Sequence, residues 1–105
     1  MNKIFLTGNL IKDPEMKITQ DGLSITSFVI AQNTKDKDKP EFYAITCFRN
    51  TAENVALYCQ KGSKVLVEGS IKHDEYTDKE GGKQRKLVIN AIQVEFLSSI
   101  KKEEN

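Results

Sequence analysis

The chain has few of the residues that mark metal sites and disulfide frameworks. It contains no tryptophan, one histidine, two prolines and two cysteines in 105 residues. Cys47 and Cys59 do not form a C-x-x-C pair and fall on predicted apolar faces. We therefore expect two core thiols in a reducing compartment, with no disulfide and no zinc site. The single histidine, His73, stands beside Asp74 but belongs to no metal-binding cluster, so we expect it on the surface or at an interface.

Long apolar runs, a charge excess and catalytic motifs are also missing. No run approaches about 18 apolar residues and the N-terminus has no apolar signal-peptide core, so we expect a cytoplasmic protein. Charged residues make up 30% of the chain but the formal net charge is +1, so any basic surface must be local. The sequence has no nucleophile–base pair, P-loop, G-x-G-x-x-G motif or metal-ligand set. We expect no enzyme, no metal and no cofactor.

The stretch 41–71 predicts a strand, a short helix and a second strand. Residues 42–49 alternate at period two, which is typical of a strand. Asn50 suits the helix N-cap, Glu53 would complete a capping box, and Gly62 suits the left-handed position after the helix. The two strand faces carry Phe42, Ala44, Thr46 and Phe48 on one side, and Tyr43, Ile45, Cys47 and Arg49 on the other.

Alternation in the rest of the chain predicts three more strands, and the whole predicts an all-β fold. Gly8, in the middle of the first strand, indicates a bulge or a sharp bend. Gly81-Gly82 indicates the tip of a long hairpin between the fourth and fifth strands. Five curved antiparallel strands with one helix between the third and fourth are the order of an OB-fold barrel. The predicted strands are 3–12, 23–33, 42–49, 63–76 and 84–97, with 16–19 as a short extension.

We assign residues 1–98 to this barrel domain and residues 99–105 to a short polar tail. Six short motifs lie in order along nearly the whole barrel, from about Met1 to Leu97. They are Gly8-Asn9-Leu10 with Asp13-Pro14-Glu15, Phe28 to Ala31, Ala52-Glu53-Asn54-Val55-Ala56, Lys61-Gly62-Ser63, Val67-Glu68-Gly69 and Tyr76-Thr77-Asp78. In this order and spacing they resemble the bacterial-type single-stranded DNA-binding proteins, a family of homo-oligomeric OB-fold proteins.

The resemblance implies a homotetramer that binds and protects single-stranded DNA, independently of sequence, in replication, repair or recombination. It implies base stacking on Phe42, Phe48 and Tyr76, and phosphate contacts from Lys61 and Lys72. The residues support the stacking, since Phe42 and Phe48 leave the same side of one strand with roughly 20 Å between them at about 3.3 Å per residue. The alternative is that this side is the core and that the Tyr43 side faces the solvent.

The hairpin between the fourth and fifth strands carries five positive and four acidic side chains. One interpretation is that its cations line one face and bind phosphate, with the carboxylates pointing away; the other is a solvated hairpin of mixed charge. Arg49 has two equal interpretations, a phosphate contact or an ion pair with Glu68. The predicted phosphate-binding residues are Arg49, Lys61, Lys72, Lys83, Arg85 and Lys86.

The first strand is apolar on both sides, which predicts that a second copy covers it. The predicted oligomer interface consists of Lys3, Phe5, Thr7 and Ile11. Two alternatives remain for the function: an OB-fold accessory protein for RNA or primosome contacts, and a partner subunit of another single-stranded DNA-binding protein.

The chain departs from the family pattern in three places. Lys35 and Asp36 stand where the family often has an aromatic, and Asp74 and Glu75 stand where it often has basic residues. The chain ends at residues 101–105 without the family's acidic tip, so we do not expect partner enzymes to be recruited that way. Either this is a minor, competence-type, phage or mobile-element form, or the chain was trimmed.

Overall fold

The computed structural model describes residues 1–33 and 39–98. Residues 34–38 of the predicted charged loop, including Lys35 and Asp36, and the predicted tail, residues 99–105, lie outside the described residues. The elements in chain order are β1 (Ile4–Leu10), β2 (Glu15–Ile18), β3 (Ser24–Gln32), β4 (Glu41–Phe48), α1 (Arg49–Tyr58), β5 (Lys64–Thr77) and β6 (Lys83–Phe96).

The sheet closes into a barrel. Its strand order is β1-β5-β6-β4-β3-β2, and β1 also pairs with β3, which closes the barrel. The predicted OB-fold barrel with one helix between its third and fourth strands is therefore confirmed, and β2 is a short additional strand paired with β3. The expectation of antiparallel pairing throughout is wrong at one place, because β4 and β6 run parallel at Ile45–Ile89 and Thr46–Asn90.

Alternate residues along the strands fill the barrel. On β4, Ile45 and Cys47 are buried, whereas Phe42 is exposed and Phe48 is half-buried. The Tyr43 side of this strand is thus the core side, because its side chains pack into the buried cluster. That cluster consists of Leu6, Leu10, Phe28, Ile30, Ile45, Cys47, Ala52, Val55, Cys59, Val65, Val67, Ile89 and Ala91.

Side-chain hydrogen bonds attach helix α1 to β3. Thr26 Oγ1 donates to a carbonyl oxygen of the helix at 2.8 Å, and Ser24 Oγ donates to the Glu53 carboxylate at 3.0 Å. The predicted capping box is wrong, because Phe48 is the N-cap without a side-chain cap bond and Asn50 lies inside the helix. Ser24, more than 20 residues away in sequence, binds the Glu53 carboxylate, the group that would have completed the capping box.

Two glycines shape the backbone differently from the prediction. The register of β1 with β5 continues without a shift across Gly8, so no bulge lies there. A Cβ at Gly8 would lie 2.8 Å from the Ala31 carbonyl oxygen, so this glycine allows β3 to approach β1 where the barrel closes. Gly62 lies beyond the helix C-cap, Cys59, and takes a φ of 91° in a turn at residues 60–63.

Both cysteines are buried and form no disulfide, as predicted for core thiols. Burial, and next the nearby Cys59 thiol, raises the pKa of Cys47 to about 12. A neutral thiol inside the core is chemically inert, so Cys47 acts in packing. Within residues 1–33 and 39–98, no group of three or more His, Cys, Asp or Glu side chains could hold a metal ion. The helix found in these ranges, ten residues long, falls well short of a membrane span.

Candidate nucleic-acid interface

The outward side of β3 and β4 forms one continuous surface opposite the core. Directly paired residues of antiparallel strands share a face. Phe42 is 57% exposed at one end of this surface, and Phe48 is half-buried at the other. The side chains between the two rings are small or half-buried, so the surface is shallow there. The pairs on this surface are Ile25–Phe48, Ser27–Thr46, Val29–Ala44 and Ala31–Phe42.

A groove of 290 Å³ lies between this surface and the hairpin of β5 and β6. Its floor includes Ser27, Ala44 and Thr46. Asp74 and Lys86 of the hairpin form one wall. The groove therefore runs along the same side of the sheet as the two rings of β4.

Tyr76 stands on the hairpin face that turns toward the groove. We call residues 72–88, the outer part of this hairpin, the arm. Asp74 and Lys86, which line the groove, also line an open pocket beside Tyr76. Tyr76 is 51% exposed, so its ring is open to the solvent in that pocket. The pairs that share this face of the arm are Lys72–Val88, Asp74–Lys86 and Tyr76–Gln84.

The arm carries both signs of charge on each face. Lys72 and Lys86 share the face of Tyr76, but Asp74 lies there too, with its Oδ1 4.0 Å from Lys72 Nζ. The interpretation that cations line one face while carboxylates point away is therefore wrong. The opposite face carries Lys83, Arg85 and Glu75.

Arg49 and Lys61 lie outside the groove lining. Arg49 directly follows β4, with a φ of 59°, and lies exposed beside the β2–β3 turn. Glu68 pairs with Lys3 at 2.8 Å, and the structure has no Arg49–Glu68 ion pair. Lys61 is exposed in the turn after α1, where its backbone N–H donates to Asp13 Oδ1 at 2.8 Å.

The sequence matches the Single-strand binding protein family over residues 1–97, almost the whole barrel. The chain belongs to the single-strand binding protein family. Its barrel, its half-exposed hairpin aromatic and its groove are thus features of a family member, and the resemblance predicted from the six short motifs is confirmed.

Relatives of this family member carry single-stranded DNA-binding names. "Single-stranded DNA-binding protein 1" of Xylella fastidiosa (strain 9a5c) is 37% identical over 113 aligned residues, spanning all of this chain and 82% of the relative. "Single-stranded DNA-binding protein B" of Bacillus subtilis (strain 168) is 39% identical over 85 residues, 76% of this chain and 75% of the relative. Others are longer: the chain spans 63% of "Single-stranded DNA-binding protein" of Xylella fastidiosa (strain Temecula1), at 35% identity over 104 residues and 92% of this chain.

Lys12 and Glu15 line the groove of this single-strand binding family member, although the sequence predicted no role for them. Their side chains lie 3.8 Å apart, Nζ to Oε2, and both are exposed. Their position depends on β2 folding back along β3, which alternation within one strand does not reveal.

Asp78 holds the tip of the arm, a role that the sequence analysis also missed. Its Oδ1 accepts hydrogen bonds from the backbone N–H groups of Gly82 at 2.8 Å and Glu80 at 3.0 Å. Its Oδ2 accepts from Gln84 Nε2 at 3.1 Å. An aspartate followed within four residues by glycines is the available signal, because its carboxylate can bond the backbone of its own turn.

These bonds make the tip sensitive to acid. The Gln84 side chain, followed by the backbone N–H groups of Gly82 and Glu80, lowers the pKa of Asp78 below its ordinary value of 3.8. The ionised carboxylate therefore stabilises the folded tip above pH 3.8. This stabilisation is lost as the pH falls through the lowered pKa of Asp78 in the folded protein. We expect the amide NMR signals of Glu80 and Gly82 to titrate with a midpoint below 3.8.

The Asp78→Asn variant, which keeps a carbonyl oxygen but cannot ionise, is the control. It should remove this titration without unfolding the barrel. A midpoint at or above 3.8 in the natural protein would contradict the carboxylate's role.

Proposed function

We propose that this protein binds single-stranded DNA independently of sequence and protects exposed strands during replication, repair or recombination, without catalysing a reaction. The main support is that Phe42, Phe48 and Tyr76 stand on the groove side of the sheet and arm instead of filling the core. Flat rings at separate points along one path suit unpaired bases, because every base has a face that can stack.

The charges at the groove support a protein that gains more from stacking than from phosphate contacts. Lys86 and Lys12 line the groove, but Asp74 and Glu15 line it as well. Each phosphate contact to a single strand adds about −0.7 to the slope of log affinity against log salt. We therefore expect a shallower slope than the cations of the arm alone would give. We propose that further phosphate contacts form where the DNA strand leaves the groove. The residues proposed for them are Arg49, Lys61, Lys72, Lys83 and Arg85.

The test of this function is a fluorescence titration with oligo-dT, a mixed-sequence single strand, a duplex and oligo-rU of equal length. We expect similar affinities for the two DNA single strands and much weaker binding of duplex and RNA. Preference for oligo-rU would support the RNA-binding alternative instead. Failure to bind any of the four, together with mixed oligomers formed with a tailed relative, would support the partner-subunit alternative.

We also propose that the protein is a homotetramer whose first interface is an open edge of β1. On one side β1 pairs with β5 from Ile4 to Asn9. On the other side, among the described residues, it pairs with β3 at Asn9 and Leu10. The start of the strand is therefore open to a second copy, which a two-fold axis would cover with the same edge. The side chains proposed for this interface are Lys3, Phe5, Thr7 and Ile11.

Phe5→Glu is expected to shift the protein from tetramer to smaller species in sedimentation velocity at micromolar concentration, because a carboxylate would replace an apolar contact. Leu57→Glu is the matched control, since Leu57 and Phe5 are both 60% exposed and Leu57 lies on the helix. It should leave the mass unchanged. A natural protein that sediments as a pure monomer would contradict the interface.

The proposed location is the cytoplasm, where the two buried thiols would stay reduced. The expectation about an acidic tip falls on residues 99–105, which lie outside the described residues.

A further inference from the structure

The second open edge of the sheet belongs to β2, the strand Glu15–Ile18. It pairs with β3 along its whole length, and no described residue forms a backbone hydrogen bond with its other side. All four side chains are exposed. Met16 and Ile18 project from one face, and Glu15 and Lys17 project from the face that continues the groove surface through Ser27 and Ile25.

The hydrogen bonds of the neighbouring turn fix which groups of β2 point outward. The Thr19 N–H donates to the Leu23 carbonyl oxygen at 3.0 Å, so the backbone groups of Thr19 point toward β3. In an antiparallel strand this direction alternates from residue to residue. Lys17 and Glu15 therefore also point toward β3, and Met16 and Ile18 direct their N–H and C=O groups to the open side.

This alternation limits the ways in which two copies of β2 could pair across a two-fold axis. Only registers that oppose outward-pointing residues form hydrogen bonds, so an axis within β2 passes at Glu15, Met16, Lys17 or Ile18. An axis at Ile18 would carry the pairing into the turn at residues 20–21, which leaves the other three. An axis at Glu15 sets two glutamates opposite each other, and one at Lys17 sets two lysines opposite each other; both are unfavourable. An axis at Met16 sets each Glu15 opposite the Lys17 of the other copy, twice.

We propose that β2 pairs antiparallel with β2 of a second copy about a two-fold axis at Met16, and that this contact joins neighbouring oligomers on one DNA strand. Two backbone bonds link the Met16 residues, and each Ile18 N–H bonds the Pro14 carbonyl oxygen of the other copy. Pro14 has no N–H, and these four bonds do not require one. The paired side chains Glu15 and Lys17 occupy the non-hydrogen-bonded positions, where opposed side chains lie closest.

The contact is small, and this decides when it forms. A strand of four residues covers far less than the roughly 1,000 Å² of a stable interface, so oligomers free in solution stay separate. Binding to one DNA strand holds two copies at high local concentration, where a weak contact becomes significant. The two-fold axis keeps the Glu15 faces of both copies on one side of the joined sheet, so both grooves open in the same direction. This inference rests on the proposed binding of single-stranded DNA.

Charge reversal tests the register. We compare Glu15→Lys, Lys17→Glu and the double variant on an oligo-dT that accepts one oligomer and on one that accepts two, by mass photometry. Each single variant sets like charges opposite, and the second binding constant relative to the first should fall by roughly three- to tenfold. The double variant restores opposite charges and should restore this ratio. Because Glu15 lines the groove, its substitution can also change how one oligomer binds DNA. Binding to the one-oligomer strand measures this direct effect and corrects the ratio for it. Ratios that stay at the natural value in the single variants, or that stay low in the double variant, would overturn the proposal.

A cysteine at the axis tests the geometry separately. In the proposed register the two Met16 Cα atoms lie about 5.5 Å apart, within the range for a disulfide. Met16→Cys should therefore form disulfide-linked pairs with diamide, much faster with a two-oligomer oligo-dT present. Ile18→Cys, on the same face but opposite Pro14, should not, and the natural cysteines are buried.

Equal cross-linking at the two positions, with normal binding to the one-oligomer strand, would overturn this inference alone. Loss of all oligo-dT binding by the natural protein would overturn the proposed function instead. In that case cross-linking at Met16→Cys at high protein concentration without DNA still tests the β2 contact.

Discussion

Replacing Tyr76 with alanine is expected to weaken binding of oligo-dT by about 5- to 150-fold, because one stacked base contributes ~1–3 kcal/mol. The ring is half-exposed on the same face of the arm as Lys86, which lines the groove. Phe48→Ala is expected to have a loss of the same order, since its ring lies at the end of the β3–β4 surface. Fluorescence titration at several salt concentrations measures both.

The salt dependence separates stacking from charge. Truncating a neutral ring removes no phosphate contact, so the slope of log affinity against log salt should stay unchanged while the whole line shifts. Lys86→Ala, by contrast, should reduce the slope by about 0.7 if that lysine contacts one phosphate. The two variants thus lose affinity in distinguishable ways.

Of three control variants, two keep part of the original side chain and the third lies on the opposite face of the arm. Tyr76→Phe retains the ring and should bind almost as the natural protein does. Leu87→Ala removes an exposed apolar side chain from the opposite face of the arm, beside His73, and should have little effect. Phe48→Leu keeps apolar volume without a flat ring, which separates stacking from the packing of a half-buried side chain. Equal affinity of Tyr76→Ala and Leu87→Ala would contradict stacking at the arm.

The strand faces could be predicted because burial on one side forces a period of two. Ile45 and Cys47 favoured a core on their side of the strand, and the structure buries both. The alternative, with Phe42 on the core side, is wrong, since Phe42 is exposed. The same alternation gave the strand bounds to within about two residues. Family motifs added the barrel topology, which local periodicity alone could not choose.

Features that depend on distant neighbours could not be predicted in this way. Asn50 has the side chain of an N-cap, but Ser24 on another strand binds the Glu53 carboxylate that a capping box needs. The distribution of positive and negative side chains over the two faces of the arm depends on the exact pairing of β5 with β6. The parallel contact of β4 with β6 joins strands more than 40 residues apart, so no local turn signals it. In each case the deciding partner comes from outside the segment that was analysed.

Gly69→Ala is expected to destabilise the barrel by about 3 kcal/mol, because overpacking against backbone leaves no side chain that can move aside. Gly69 lies at the one shift in the β5–β6 register, where β6 contributes the additional residue Ile92. A Cβ there would collide with the Asn90 carbonyl oxygen and lie 2.9 Å from the Ala91 Cα. For a domain of this size we expect the melting temperature to fall by about 10–20 °C in thermal unfolding.

Gly22→Ala provides the contrast, since Gly22 has a φ of 87° with no atom within 4 Å of an added Cβ. It should cost only about 1 kcal/mol of backbone strain. Equal stability of the two variants would mean that β5 and β6 do not approach so closely at Gly69.

Because the arm begins just beyond this register shift, the direction in which Tyr76 projects also depends on Gly69. Gly69→Ala should therefore weaken oligo-dT binding even at temperatures where the barrel remains folded.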